Sequence, residues 1–287
     1  MRFDAPYLYS QLKPVDFRIL TAIENEMRTH EWVSVESIAP YVNASTERIA
    51  HRLKHLRKWK VVEYARLSYE GYRLFYTGYD LLALNALVKR GSIDAVGGQV
   101  GFGKESDVFV VLKGDERRIL KLHRAGLSFK GVRRTRRYIA ERHHLSWVYA
   151  SRLAAQREFD ALRRLYPEVS VPEPIDHNRH AILMELFDGL SLSECTLEQP
   201  MECFEEVWHN IEQAYALGVV HADLSEYNIL ASPQGVCIID WPQWVEVGSE
   251  GADELLERDI GNVCAHFTRK YALKLDPREL LDRLQMR

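Results

Sequence analysis

The sequence predicts an α+β chain of two units: a small helical unit closed by a β-hairpin, then a larger two-lobed mixed domain. Three observations predict it. Within residues 1–90, three helix-period segments are followed by two alternating runs. At Gly91 the composition turns apolar and glycine-rich, and strand-like runs take over. Further on, a loop holding Asp223 and Asn228 precedes an apolar strand that ends in Asp240.

Pro14 opens a helix in which Phe17, Leu20, Ile23 and Met27 recur at helical spacing. A short second helix holds Val35, Ile38 and Ala39, with Pro40 at its end. Asn43 or Ser45 can cap a third, where Ile49, Leu53 and Leu56 form one apolar stripe. Val61 to Leu67 alternates like a strand, Glu70-Gly71 suits a turn, and Tyr72 to Tyr76 returns. Tyr79 to Arg90 reads as a further helix, stopped by Gly91. This is the element order of a winged helix-turn-helix, with the third helix as its recognition helix. Between Ser45 and Lys60 there are six Lys/Arg against one Glu. Arg52, Lys54 and Arg57 are therefore candidate nucleic-acid contacts, although the solvated face of a protein-docking module would carry the same charges.

Residues 91–287 form the second expected domain, with an N-lobe over about 91–184 and a C-lobe over about 188–287. Gly101-Phe102-Gly103-Lys104-Glu105-Ser106 is a glycine loop, though not a Walker loop. Its glycines let backbone approach a phosphate, and Lys104 and Ser106 add donors. Strand-like runs follow at Val108–Leu112 and Arg118–Leu122. Lys121 lies inside the apolar run Ile119-Leu120-Lys121-Leu122, where an ammonium needs a polar partner or a ligand. From Lys121 to Arg142 there are eight Lys/Arg and one acid, the composition of a mobile loop. Trp147 to Leu165 reads as a helix, and its Glu158 is the candidate partner of Lys121. Strands are expected near Pro172–Pro174 and Ala181–Leu186, and helices between Pro200 and Leu217.

The most specific signal is His221-Ala222-Asp223-Leu224-Ser225-Glu226-Tyr227-Asn228. An Asp followed five residues later by Asn is the spacing of a kinase catalytic loop. The Asp reaches the attacking hydroxyl or water, and the Asn reaches a metal on the phosphates. Twelve residues after Asn228, the strand Val236-Cys237-Ile238-Ile239 delivers Asp240, the way a buried metal ligand is built. Ile182-Leu183-Met184-Glu185-Leu186-Phe187 reads as a buried strand entering a linker, the place of a kinase hinge. There the backbone of Glu185 and Phe187 would bond an adenine edge, with Met184 beside the base.

Taken together, these residues resemble the RIO family of atypical kinases, within it the subfamily that carries an N-terminal winged helix. Gly-Phe-Gly-Lys-Glu-Ser matches that subfamily's phosphate loop, and Asp240-Trp241-Pro242-Gln243 is similar to its metal-Asp segment. Glu257-Arg258-Asp259 matches a helix whose Asp braces the catalytic loop. Ala222 stands where many members have Gly, and Trp241 where many have Phe. The resemblance implies a trimmed kinase domain without the usual activation segment, using ATP and Mg2+, with Mn2+ able to substitute. It implies an atypical serine/threonine kinase and/or ATPase, in which Asp223 orients the acceptor. Lys121, Glu158 and Gly101 to Ser106 would steady the phosphates, and Asn228 and Asp240 would hold the metal. Slow hydrolysis through phosphate transfer to Asp240 would make such a protein an ATP-timed switch. The resemblance also implies Ser128 as a candidate autophosphorylation site, and the maturing small ribosomal subunit with its rRNA as partner.

Two other readings share part of the pattern. A small-molecule kinase of the aminoglycoside or choline kinase type has the same Asp/Asn loop, but carries a larger helical C-lobe and no fused winged helix. A nucleotide-gated nucleic-acid-binding scaffold would have lost Lys121, Asp223 or Asp240, all of which are kept. The net charge of −3 over 287 residues excludes a chain that binds polyanions over its whole surface. The four cysteines form no C-x-x-C pair, so neither a zinc knuckle nor a disulfide framework is indicated. No secretory signal is seen, and no stretch approaches the roughly 20 apolar residues of a membrane span. A soluble cytoplasmic protein is expected.

Overall fold

The structure, a computed structural model, describes residues 5–102, 106–124 and 146–286. The N-terminal unit contains helices α1 (Ala5–Gln11), α2 (Pro14–Glu26), α3 (Val35–Ile38) and α4 (Thr46–Lys58). A hairpin of β1 (Val62–Arg66) and β2 (Glu70–Leu74) follows, then helix α5 (Tyr76–Lys89). Pro14 occupies the first turn of α2, where its missing N–H costs nothing. Ser45 caps α4 by accepting from the Arg48 amide. Ile49, Leu53 and Leu56 are fully buried against Ile19, Leu20 and Ile23 in one core.

Three details differ from expectation. Helix α1 has too few residues for a periodic signal, yet its Leu8 is fully buried in that core. The hairpin turns at Leu67 to Tyr69, because Glu70 and Gly71 pair with Arg66 and Ala65 in the ladder. Gly71 serves close approach instead, since a Cβ there would lie 2.8 Å from the Trp32 Cβ. The third is Arg52. Its Nε donates to Asp16 Oδ1 at 2.7 Å, and Asp16 is fully buried. Asp16 also accepts from the Lys13 amide at the start of α2. Arg52 is therefore a fold residue joining α4 to α2, and it is withdrawn as a nucleic-acid contact. A carboxylate buried that deeply needs its counter-charge.

The second domain opens with an antiparallel five-stranded sheet. Its strands are β3 (Ala95–Phe102), β4 (Ser106–Lys113), β5 (Glu116–His123), β6 (Pro174–Asn178) and β7 (Ala181–Glu185), in the order β3-β4-β5-β7-β6. Between β5 and β6 lies helix α6 (Ser146–Leu165). Strand β6 starts only at Pro174, consistent with prolines at 172 and 174 that cannot donate to a ladder. The C-lobe holds β8 (Leu190–Ser191), α7 (Pro200–Ala216), β9 (Val219–Val220), β10 (Ile229–Ser232), β11 (Gly235–Ile238), β12 (Val245–Glu246), α8 (Ala252–Tyr271) and α9 (Pro277–Gln285). Strands β10 and β11 form the hairpin that carries the catalytic-loop segment into Asp240.

Helix α5 belongs to both domains. Tyr79, Leu81 and Leu82 enter the N-terminal core, while Ala83, Leu84 and Leu87 pack under the sheet with Leu120 and Leu183. A helix apolar on nearly every side is a helix buried on nearly every side. Gly78 lets it close on the hairpin, because a Cβ there would meet the Val61 carbonyl at 2.5 Å. Asp80 of α5 accepts from Arg124 at 2.7 and 2.8 Å and lies 2.8 Å from His180 Nε2. The domain boundary expected at residue 90 thus falls at the end of a shared helix.

Candidate active site

Strand β5 carries Lys121 inward, between Leu120 and Leu122, from the middle of the sheet. Its ammonium has three N–H groups, and three carboxylate oxygens meet them. Nζ donates to Glu158 Oε1 at 2.7 Å, to Glu158 Oε2 at 2.8 Å and to Asp240 Oδ1 at 2.7 Å. Burial disfavours this ammonium, but Asp240 and Glu158 outweigh it and hold the group well above the ordinary lysine range. Burial likewise opposes ionisation of Glu158, yet Lys121 and then His123 bring its carboxyl down to about 2. His123 Nε2 lies 2.8 Å from Glu158 Oε2 but off the line of a hydrogen bond, so the contact is electrostatic. The cluster is three-sided: one cation between a deeply buried carboxylate and one whose side chain is 44% exposed.

The loop from His221 to Asn228 approaches from the C-lobe. Ala222 has φ +65°, a left-handed conformation costly for a residue with a Cβ. Its peptide is clamped from both sides. The Ala222 amide donates to Asp259 Oδ2 at 2.6 Å, and its carbonyl accepts from Arg258 Nη2. The Leu224 amide donates to Asp259 Oδ1 at 3.1 Å, and the Leu224 carbonyl accepts from Asn262 at 3.0 Å. One face of α8 therefore dictates the loop conformation and turns Asp223 outward, with its side chain 59% exposed. Arg258 Nη2 stands 3.9 Å from Asp223 Oδ1.

Asn228 Nδ2 donates to the Asp223 carbonyl at 2.9 Å. That leaves its Oδ1 as the atom to face a cation. The Asn228 carbonyl accepts from the Ile239 amide at 2.9 Å, tying the loop to the residue before Asp240. Asp240 has φ +69°, and Trp241 beside it is fully buried with Nε1 donating to the Ile238 carbonyl at 2.9 Å. The buried indole pins the bend that aims Asp240 back at Lys121. Two oxygen donors, Asn228 and Asp240, suit a hard divalent cation that keeps most of its ligands as water and phosphate.

Residues 107–280 match the family model for the RIO domain, and residues 9–90 match that for the Rio2 N-terminal domain. The chain belongs to the RIO family of kinases. It is 43% identical over 256 residues to the RIO-type serine/threonine-protein kinase Rio2 of Methanocaldococcus jannaschii, covering 86% of this chain and 93% of that one. It is 37% identical over 276 residues to the serine/threonine-protein kinase rio2 of Dictyostelium discoideum, covering 94% of this chain but 53% of that longer one. The crystal structure of the Rio2 kinase–ADP/Mg2+–phosphoaspartate complex from Chaetomium thermophilum superposes with a TM-score of 0.82 at 29% identity, over 96% of this chain and 88% of that one. The RIO domain described above is thus an ATP-dependent phosphotransferase domain.

Other expected positions of this RIO domain fall around the cluster or outside it. Met184 is buried on β7 opposite Ile119, next to the β5 strand of Lys121. The Glu185 amide donates to the Glu173 carbonyl at 3.0 Å, so it is not available to an adenine. The expected hinge contact at Glu185 is narrowed to its carbonyl. The Phe187 carbonyl accepts from the Gly189 amide at 3.1 Å. Gly101 and Phe102 end β3 next to a register shift, and Ser106 opens β4 opposite His123. Gly103, Lys104, Glu105 and Ser128, with the basic stretch read as a mobile loop, lie outside the described residues. On α4, Lys54 and Arg57 are exposed, and Arg57 lies over the Tyr64 ring at 4.2 Å. Sequence reasoning missed His123, Asn262 and the Arg258 contact to the loop. Each is an ordinary polar residue whose role depends on which backbone it meets.

Proposed function

We propose that this RIO kinase uses Mg2+-bound ATP as a serine/threonine kinase or ATPase in cytoplasmic small-ribosomal-subunit maturation. The observation that carries the catalytic part is the convergence of Glu158 and Asp240 on the Lys121 ammonium, each within 2.8 Å of Nζ. In this reading Lys121 exchanges one of its three carboxylate contacts for a phosphate oxygen. Asn228 and Asp240 hold the divalent ion, and Mn2+ serves in its place. The ion supplies charge neutralisation between the phosphates. Asp223 accepts the proton of the acceptor hydroxyl or water. Met184, the Glu185 carbonyl and the Phe187 amide receive the adenine. The phosphoaspartate of the Chaetomium relative supports an aspartate as phosphate acceptor; here that role falls to Asp240, and turnover through it would time release from a particle.

The exposed cations of α4, including Arg48, Lys54, Arg57 and Lys58, support rRNA as a partner. Among the described residues, no helix is long and apolar enough to cross a membrane. The test is phosphate release from ATP–Mg2+ with and without purified small ribosomal subunits. A rate that changes severalfold on adding subunits is expected. An identical rate at saturating subunits would remove the ribosomal assignment and leave the phosphotransferase standing.

A further inference from the structure

Helix α6 is one stiff element shared by two cores. Its first turn belongs to the N-terminal unit, where Val148 is buried and Trp147 packs against the same cluster. Its later turns, with Ala155, Ala161, Leu162 and Leu165, belong to the core that runs into the C-lobe. Ala150 and Ala154 form only a small cluster of their own between the two. Glu158 lies eleven residues beyond Trp147, about 16 Å along the axis.

Among the described residues, Trp147 makes its ring contacts with two aromatic side chains of α5. Its ring centroid is 3.7 Å from that of Tyr76, and its edge meets Tyr79 at 5.2 Å and 89°. Tyr79 is itself buried, with its hydroxyl 3.8 Å from Met27 Sδ. A second tie runs parallel. Glu24 of α2 accepts from Arg179 Nε at 2.8 Å and stands 3.7 Å from Arg152 of α6. The N-terminal end of α6 is thus held by the N-terminal unit, while Glu158 is held by Lys121.

We propose that Trp147 is a positioning residue for phosphoryl transfer. Its seat against Tyr76 and Tyr79 sets how far α6 advances and how it is rotated, and so keeps Glu158 on Lys121. The argument rests on the reading of Lys121 as the phosphate-binding lysine. Lys121 divides its three donors between Glu158 and Asp240, so a small retreat of Glu158 hands the ammonium to Asp240. That both withdraws Lys121 from the phosphates and occupies a metal ligand. The N-terminal unit thereby becomes part of the ATP site, and whatever displaces it from α6 is felt at Lys121. Trp147 is also one wall of a cavity of 270 Å³ lined by Met27, Leu74, Phe75 and Tyr76 among others. Shortening the side chain extends an existing space and does not excavate a packed core.

A double-mutant cycle on the full chain tests this. The variants are Trp147→Ala, Trp147→Phe, Glu158→Gln and the Trp147→Ala/Glu158→Gln pair, with Tyr76→Ala as a second way to open the seat. For each, KM for ATP, kcat and the melting temperature are measured. Trp147→Ala is expected to raise KM for ATP roughly three- to tenfold. Trp147→Phe should recover most of that loss. In the Glu158→Gln background, removing Trp147 should add less than about twofold. Tyr76→Ala should reproduce Trp147→Ala and carries the test if Trp147→Ala does not fold. A wild-type KM in Trp147→Ala alongside an impaired Glu158→Gln overturns the proposal alone. So does a penalty that persists undiminished in the Glu158→Gln background, since that marks a general structural role. A wild-type Glu158→Gln enzyme overturns the phosphate-clamp reading and the proposal with it.

Discussion

Asp223→Ala is expected to slow phosphate release by about a hundred- to ten-thousandfold, the usual contribution of a positioned general base. The loss should fall on kcat. Asp223 makes none of the Lys121 contacts, and its side chain faces solvent. The loop should keep its shape in the variant, because Asn228 bonds the Asp223 carbonyl rather than its carboxylate. Asp259, Arg258 and Asn262 hold the neighbouring peptides independently of that side chain. Stability should therefore change by no more than about 0.5 kcal/mol, as for surface substitutions. Steady-state phosphate release and a thermal melt check both parts. A variant that keeps the wild-type rate would remove Asp223 from the chemistry.

Lys121→Met should damage folding as well as turnover. It strips both oxygens of Glu158 of their donor in a site with almost no solvent. Removing one partner of a buried ion pair costs about 3–5 kcal/mol. His123, at 2.8 Å from Glu158, remains to soften the loss, which places the expectation at the lower end. The pH dependence distinguishes this cause from a simple packing defect. In the wild type, the Glu158 carboxyl is lowered from 4.5 to about 2. It contributes stability that is present above about pH 4.5 and is lost as pH falls toward 2. Lys121 is raised above its ordinary value, so its contribution is present below that value and is lost only in strong alkali. In Lys121→Met, burial would instead push the Glu158 carboxyl up. The variant should then gain stability as pH falls from 7 toward about 4.5, a range in which this carboxyl leaves the wild type's stability unchanged. Denaturant melts at pH 7 and pH 4.5 read the difference. A variant as stable as wild type at pH 7 would contradict the account, and adding Glu158→Gln should restore part of the loss.

Much of this site is legible in the sequence because its residues stand where apolar flanks make polar ones conspicuous. Lys121 between Leu120 and Leu122 declares a buried charge that needs a partner, and Asp240 after Ile238-Ile239 declares a carboxylate delivered by an apolar strand, although its side chain is half-exposed rather than buried. The Asp223–Asn228 spacing fixes two groups on one loop. Backbone partners are a different matter. Nothing in the sequence shows that the Glu185 amide is taken by the carbonyl of Glu173, a residue on another segment. Arg52 reads as a basic helix residue like Lys54 until the fold brings Asp16 beneath it. Asp16 itself gives no sign of burial, since a carboxylate in a first helical turn is ordinary. The sharing of α5 and α6 between cores is hidden for a similar reason. Periodicity shows that a helix has an apolar face, but not that two different partners divide it.

The winged helix and the kinase domain meet through those two helices and through the Glu24–Arg179 pair. Ala222 and Asp240, at φ +65° and +69°, mark where the fold holds costly backbone to aim the two carboxylates. Arg258, Asp259 and Asn262 supply the restraint from a single helix, so the loop is set before any nucleotide arrives.

The most direct test of the central claim is a calorimetric titration of ADP into wild type and Asp240→Asn, with and without Mg2+. Mg2+ is expected to tighten nucleotide binding to the wild type by about tenfold or more, and Asp240→Asn to abolish most of that gain. Nucleotide binding that is indifferent to Mg2+ in the wild type, or equally enhanced by it in Asp240→Asn, would contradict the assignment of Asp240 as the metal ligand of an ATP site.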